Sequence, residues 1–279
     1  MDGELIRVRD LVVRIGDRVI ASVPELDVGA GECVAIVGES GSGKTTTLLS
    51  VLGLVGDDRE TGARDVDISG EIAVCGVDVM TAGPGELRRI RGSRAALVMQ
   101  SPQAALNPTM RLGTLMRRAL ARHGVKGVAG RSRAAEAVKA VLLDPEIMRR
   151  YPHQVSGGQA QRFAIAIALA LGAEIVLADE PTSALDVTVQ AEVVAVLRRL
   201  RDERGLAVLL VSHDLALVST IADRVLVMRD GAVVESGPAA EVFDRPRDAY
   251  TRELVAAVPA LPEFHASEVG ETARAKEEL

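Results

Sequence analysis

Between Gly38 and Thr47 the chain reads GESGSGKTTT, directly after the apolar run CVAIV. Gly38, Gly43, Lys44 and Thr45 fit the spacing G-x-x-x-x-G-K-[ST], in which glycines let consecutive backbone N–H groups turn inward around phosphate oxygens. The donors of this loop would come from Gly38, Glu39, Ser40, Gly41, Ser42 and Gly43, and from Lys44, Thr45 and Thr46 at the positive end of the helix that follows. Lys44 is placed to reach the β- and γ-phosphates of a nucleoside triphosphate, and the Thr45 hydroxyl to hold Mg²⁺. A glycine-rich turn without a ligand is the competing reading. The position between a strand and a helix favours the nucleotide.

Two further stretches carry chemistry. In IVLADEP, Asp179 and Glu180 are expected just past the end of a buried strand, facing the crevice where parallel sheets bind ligands. Asp179 would hold Mg²⁺ through water, and Glu180 would orient or deprotonate an attacking water. An acidic pair that merely caps the next helix is the alternative. In VSGGQAQR, Val155 to Arg162, Ser156 is a good N-cap, while Gly157 and Gly158 expose N–H groups at a helix start. That makes a second anion site far along the chain from the first. On its own such a stretch reads more often as a plain capped helix with no ligand. Capping calls for neither a glycine pair nor Gln159, and it is the family motifs that follow which favour an anion site.

The phosphate loop and the acidic pair alone define a P-loop NTPase. With Ser156-Gly157-Gly158-Gln159 added, the chain resembles the ATP-binding cassette (ABC) ATPases. Gln100 in LVMQSP matches that family's Q-loop glutamine, Ser183 to Asp186 (SALD) its D-loop, and His213 in VLLVSHD its switch histidine. The resemblance covers about residues 5–240. It implies catalytic roles for Glu180, His213 and Gln100, Mg²⁺ ligation by Thr45, Gln100 and Asp179, and ATP contacts that include Asp186. It also implies head-to-tail pairing of two cassettes, with ATP held between one phosphate loop and the other's signature.

MQSPQAALNPTM (99–110), YPHQVSGGQAQR (151–162) and RPRDAYTRELVAAVP (245–259) resemble the importer ATPases of the oligopeptide, dipeptide and nickel group. This implies an ATP-hydrolysing subunit for a peptide or nickel importer. Its partners would be transmembrane permease subunits, a second and non-identical ATPase and, indirectly, a solute-binding protein. Its place would be the cytoplasmic side of the membrane. The other class of reading is a non-transport ABC ATPase acting on DNA or ribosomes. Neither the long coiled-coil insertion nor the second cassette typical of those proteins is seen. The chain departs from the family pattern in four places. Ile15 stands where an aromatic usually stacks on adenine, Val155 replaces leucine before Ser156, and Ala173 and Ala249 stand where proline is common.

These residues need a scaffold. The runs CVAIV (33–37), AALVM (95–99), IVLA (175–178), AVLLV (207–211) and RVLVM (224–228) read as strands buried on both faces, hence parallel. Helical patterns cover Thr45 to Leu54 and Val187 to Arg204, and RDGAVVESG reads as a turn and strand. The expected fold is α/β: a P-loop NTPase core with a parallel sheet, an antiparallel β subdomain and a helical subdomain inserted at about 107–171. The ATPase domain is expected to span 1–262, with a C-terminal extension from about 240 and a disordered polar tail over 263–279.

Composition sets limits. A net charge of −6 argues against a general nucleic-acid surface, so no nucleic-acid partner is expected. Two cysteines, Cys33 and Cys75, make neither a disulfide framework nor a metal cluster. The opening MDGELIRVRD lacks the apolar core of a signal peptide. The longest apolar run, FAIAIALALGA, is far shorter than the ~20 residues that span a bilayer. A cytosol-type soluble chain is expected.

Overall fold

The apolar runs that lack any alternation are buried on both sides. Cys33–Val37 is fully buried, and Ala207–Ser212 is buried along its whole length. Alternate residues face two different cores: Cys33, Ala35 and Val37 lie in one, Val34 and Ile36 in the other. A sheet with both faces covered needs helices on each side, and parallel pairing with crossover helices supplies them.

The computed structural model describes residues 3–55 and 66–258. Its strands are β1 (Glu4–Ile15), β2 (Arg18–Gly29), β3 (Cys33–Val37), β4 (Val66–Val74), β5 (Val77–Asp78), β6 (Ala95–Val98), β7 (Ile175–Asp179), β8 (Ala207–Ser212), β9 (Arg224–Arg229) and β10 (Ala232–Pro238). Its α-helices are α1 (Lys44–Val51), α2 (Pro84–Ile90), α3 (Pro102–Ala105), α4 (Leu112–Arg122), α5 (Gly127–Ala140), α6 (Gly157–Leu171), α7 (Val187–Arg204), α8 (Leu215–Ile221), α9 (Ala239–Asp244) and α10 (Ala249–Ala256). The polar tail expected over 263–279 lies outside the described residues.

One sheet runs β5-β4-β1-β2-β10-β9-β3-β8-β7-β6. From β9 to β6 every pairing is parallel, while β1, β2, β4 and β5 pair antiparallel. β1 and β2 alternate buried and exposed residues, as strands with one covered face do. Leu48 and Val51 of α1 fill the core under β1 and β2, whereas α4 to α8 build the core on the opposite face. Between β6 and β7 only helices and short 3-10 turns occur, as expected from the sequence of that segment.

Several boundaries differ from expectation, three of them beside the candidate site. β6 ends at Val98, leaving Met99 half exposed. α1 stops at Val51, short of Leu54, because the chain turns at Gly53 with φ +62°. β7 includes Asp179, so that carboxylate is the last strand residue and not beyond it.

Parallel register lines up the loops that matter. Val37 pairs with Ser212, Val211 with Asp179, and Ala178 with Val98. The segments that follow β3, β8, β7 and β6 therefore leave the same edge of the sheet, where open α/β sheets bind ligands.

Candidate functional site

After β3 the chain makes the glycine loop and enters α1. Gly43 sits at the helix start with φ +96°, and a Cβ there would meet the Ile20 carbonyl at 2.5 Å. Only glycine fits that position. Among the described residues, the N–H groups of Ser40, Gly41, Gly43, Lys44, Thr45 and Thr46 donate no hydrogen bond to protein. Six donors converging at a helix N-terminus form an anion cradle.

Glu39 does not join them as the sequence reading expected. Its N–H donates to the Tyr250 hydroxyl at 2.9 Å. That donor is therefore occupied by a residue 211 positions along the chain and is not offered to the cradle.

Lys44 is only 5% exposed, and its Nζ donates to the carbonyls of Gly38 at 2.8 Å and Glu39 at 2.6 Å. Burial pulls its pKa below the ordinary lysine value, opposed by Glu180, Asp179 and Glu39. Lys44 Nζ also reaches the Ser42 hydroxyl at 3.5 Å, and a buried cation held by neutral oxygens gains from an anion brought beside it.

Thr45 Oγ1 donates to Asp179 Oδ1 at 2.9 Å, so the two expected Mg²⁺ ligands already touch. Burial pushes the Asp179 carboxyl above its usual range, and Thr45 and Lys44 oppose the shift while Glu180 adds to it. One hydroxyl and one carboxylate are hard oxygen donors of the kind Mg²⁺ takes, with phosphates and waters completing the shell. No group of three or more His, Cys, Asp or Glu side chains poised for a metal occurs among the described residues. That sparse donor set fits Mg²⁺ brought in with a nucleotide and does not fit zinc or a dedicated metal cage.

Glu180 follows β7 with φ +43°, a left-handed backbone that costs free energy for a residue with a Cβ. Its N–H donates to Val211 O at 2.9 Å, which pins the turn against β8. The side chain meets His213 after β8, with Nδ1 to Oε2 at 3.3 Å. Gln100 Nε2 donates to Ser183 Oγ at 2.8 Å, and Ser183 Oγ reaches the Glu180 carbonyl at 3.2 Å. Gln100 is thus tied to the Glu180 turn, and among the described residues no hydrogen bond joins it to the Thr45–Asp179 pair. Sequence reasoning placed Ser183 in a motif but missed it as the link between these two residues.

The signature stretch lies elsewhere, at the N-terminus of α6. Ser156 Oγ accepts from Gln159 N at 3.2 Å, and Gln159 Oε1 accepts from Ser156 N at 3.2 Å. This is a complete capping box, so Gln159 does have a capping role, contrary to the reading from sequence. The glycines have a packing role too. A Cβ at Gly157 would lie 2.7 Å from Leu185 Cδ2, and one at Gly158 would lie 2.1 Å from Val189 Cγ1. Asp186 caps α7 by accepting from Val189 N at 3.0 Å. Among the described residues no hydrogen bond joins Ser156–Gln159 to the phosphate loop of the same chain. Gln103 Nε2 donates to Val155 O at 2.9 Å, which ties the segment after Gln100 to the approach to α6.

The sequence profile of the ABC transporter family matches residues 22–183, more than half of the chain. The chain belongs to the ABC transporter family. A Brucella abortus protein whose name assigns it provisionally to ATP binding in peptide import is 45% identical over 234 residues, 82% of this chain and 68% of that protein. A Brucella ovis protein with the same kind of name is 43% identical over 235 residues, 84% and 71% of the two chains. Among solved structures, the ATP-binding cassette MJ0796, a dimer bound to ADP and phosphate after hydrolysis, superposes with a TM-score of 0.69 at 29% identity. That match covers 84% of this chain and 98% of the other. CbiO1 of Clostridium perfringens shares the fold, with a TM-score of 0.74 at 24% identity over 88% and 92% of the chains. As a member of the ABC family with the cassette fold, this chain is a transporter ATPase.

Proposed function

We propose that the chain is the ATP-hydrolysing subunit of an importer for peptides, acting at the cytoplasmic face of a membrane. The cassette domain would span 1–262, with 107–171 as its helical insert. The observation that carries the ATPase part is the meeting of three groups at one sheet edge. These are the six unpaired N–H groups of the loop, the Thr45–Asp179 pair, and the Glu180–His213 pair. The peptide part is supported by the names of relatives 43–45% identical to it.

In the proposed mechanism, the N–H groups of Ser40, Gly41, Gly43, Lys44, Thr45 and Thr46 bind the phosphates in place of water. Lys44 leaves the carbonyls of Gly38 and Glu39 for the β- and γ-phosphate oxygens. Thr45 and Asp179 would hold Mg²⁺, which when bound neutralises charge on those oxygens. Glu180 accepts a proton from the attacking water and aligns it with the γ-phosphorus. His213, 3.3 Å from Glu180, would donate to the γ-phosphate. Gln100 senses that site through Ser183 and the Glu180 turn.

Ser156, Gly157 and Gly158 would complete the site of a second cassette, whose own signature completes this one. Among the described residues no hydrogen bond joins them to this chain's loop, which supports pairing in trans, and a non-identical second ATPase is the proposed partner. Among the described residues no helix is long and apolar enough to cross a membrane, so permease chains would supply the channel. The half-exposed Met99 and the Gln100 segment beside the helical insert form the face proposed for permease docking.

The test is purification of the native complex, followed by ATPase assay with candidate ligands of the co-purifying solute-binding protein. Permease chains and stimulation by peptides are expected. Stimulation by nickel alone would reassign the substrate, and ribosomes or DNA in the complex would refute the importer reading.

A further inference from the structure

We propose that Tyr250 is a positioning residue for nucleotide binding: the C-terminal helix α10 holds the Glu39 N–H and thereby fixes the first turn of the phosphate loop. The contact joins residues 211 positions apart. It rests on the reading that this loop binds the nucleotide's phosphates.

Glu39 is gripped on both sides of its backbone. Its N–H donates to Tyr250 Oη at 2.9 Å, and its carbonyl accepts from Lys44 Nζ at 2.6 Å and from Ser42 N at 3.2 Å. When Lys44 turns to phosphate, its grip on the carbonyl is released. The Tyr250 bond is then the outside anchor that keeps Glu39 in place while Ser40 and Gly41 present their N–H groups.

Tyr250 is suited to that task. It is 4% exposed, and the Arg229 guanidinium lies 4.8 Å from its ring centroid, within cation–π range. Burial pushes the phenol above its ordinary pKa, which keeps it a neutral hydroxyl at working pH. The start of α10 is itself tied down. Asp248 accepts from Tyr250 N at 2.8 Å, and the Glu235 carboxylate accepts from Arg247 N at 2.9 Å and Asp248 N at 3.0 Å. The anchor therefore stands on β10, a part of the sheet separate from the loop it holds. By linkage, any partner that moves α10 changes nucleotide affinity, and nucleotide changes the hold on α10 by the same factor.

The experiment compares the full-length chain with Tyr250→Phe, which deletes the acceptor and keeps the ring over Arg229. Val255→Ala, on the same helix and packed against the same core, serves as the packing control. Mg-ATP affinity, ATPase kcat and KM, and melting temperature are measured on each. Tyr250→Phe should weaken ATP binding and raise KM about fivefold, the size of one net hydrogen bond. Its kcat should stay within roughly twofold, and Val255→Ala should leave KM unchanged. Unaltered affinity in Tyr250→Phe, or an equal loss in Val255→Ala, overturns the proposal. Failure of the unmodified chain to bind ATP would instead overturn the reading of the loop. Hydrogen exchange on the unmodified chain decides the matter even if Tyr250→Phe does not fold. The Glu39 amide should exchange slowly with or without ATP, and Ser40 and Gly41 should slow only when ATP is added. A Glu39 amide as fast as that of Ser40 in the nucleotide-free chain contradicts the anchor.

Discussion

Replacing Gly158 by alanine would place a Cβ 2.1 Å from Val189 Cγ1. Carbon atoms in contact sit about 3.5–4.0 Å apart, so the overlap exceeds an ångström, and either Val189 leaves its rotamer or α6 moves off α7. Overpacking of this kind costs about 1–3 kcal/mol. At roughly 2–4 °C per kcal/mol for a domain of this size, the melting temperature should fall by about 2–12 °C. The structure also supplies the rescue. Val189→Ala removes Cγ1, and the next nearest atom, Val189 Cβ, lies at an ordinary 3.6 Å from the added methyl. Thermal unfolding of the four proteins of this double-mutant cycle is the assay. The double variant should melt with Val189→Ala alone, giving a coupling of the same 1–3 kcal/mol. Additive losses, or a Gly158→Ala chain as stable as the parent, would show that Gly158 is not a packing glycine.

Two other outcomes follow from single residues. Ile15 is 46% exposed at the tip of the β1–β2 hairpin and offers adenine dispersion without an aromatic face. An aromatic stack is worth about 0.5–1.5 kcal/mol, so roughly twofold to tenfold of base discrimination is missing, and GTP should compete well with ATP in equilibrium binding. Strong ATP preference, undiminished in Ile15→Ala, would contradict this. Glu174 hydrogen-bonds the Arg94 guanidinium at 2.5 and 2.8 Å, which holds its carboxyl below the ordinary value of 4.5. A depressed carboxyl stabilises the fold above its unfolded pKa and loses that contribution as pH falls through the folded one. Glu174→Gln should therefore be less stable than the parent at neutral pH, with the gap in denaturant midpoint closing below about pH 4.5. A gap that stays constant down to pH 3 would refute the pairing as its source.

The parallel strands were legible because burial on both faces leaves an uninterrupted apolar run, as in CVAIV. The motif residues were legible because each follows such a run: Gly38 after β3, Gln100 after β6, Glu180 after β7 and His213 after β8. The half-covered strands β1, β2 and β4 gave a weaker signal, since their polar faces resemble loop composition and were not bounded one by one. Contacts between distant residues left no pattern at all. Nothing in the spacing tells that Tyr250 takes the Glu39 N–H from the loop. Nor does a glycine pair reveal whether it serves a ligand or a neighbour. Gly157 and Gly158 read as anion donors, yet Leu185 and Val189 crowd them. Gln159 misled for a related reason: a capping box needs the i+3 glutamine, so the same side chain satisfies a local and a functional reading.

The measurement that tests the central claim most directly is Glu180→Gln beside Lys44→Ala, with the partner ATPase present. ATPase rate, Mg-ATP affinity and dimer fraction are read for each. Glutamine keeps the shape and hydrogen bonding of Glu180 but cannot take the proton, so hydrolysis should fall by about 10²–10⁴-fold. Binding through Lys44, Thr45 and Asp179 should survive, and the ATP-closed dimer should accumulate. Lys44→Ala should instead lose ATP affinity first, because the charge it removes belongs on the phosphates. A Glu180→Gln chain that hydrolyses ATP at the parent rate, or that loses ATP binding as Lys44→Ala does, would contradict the assignment of the base.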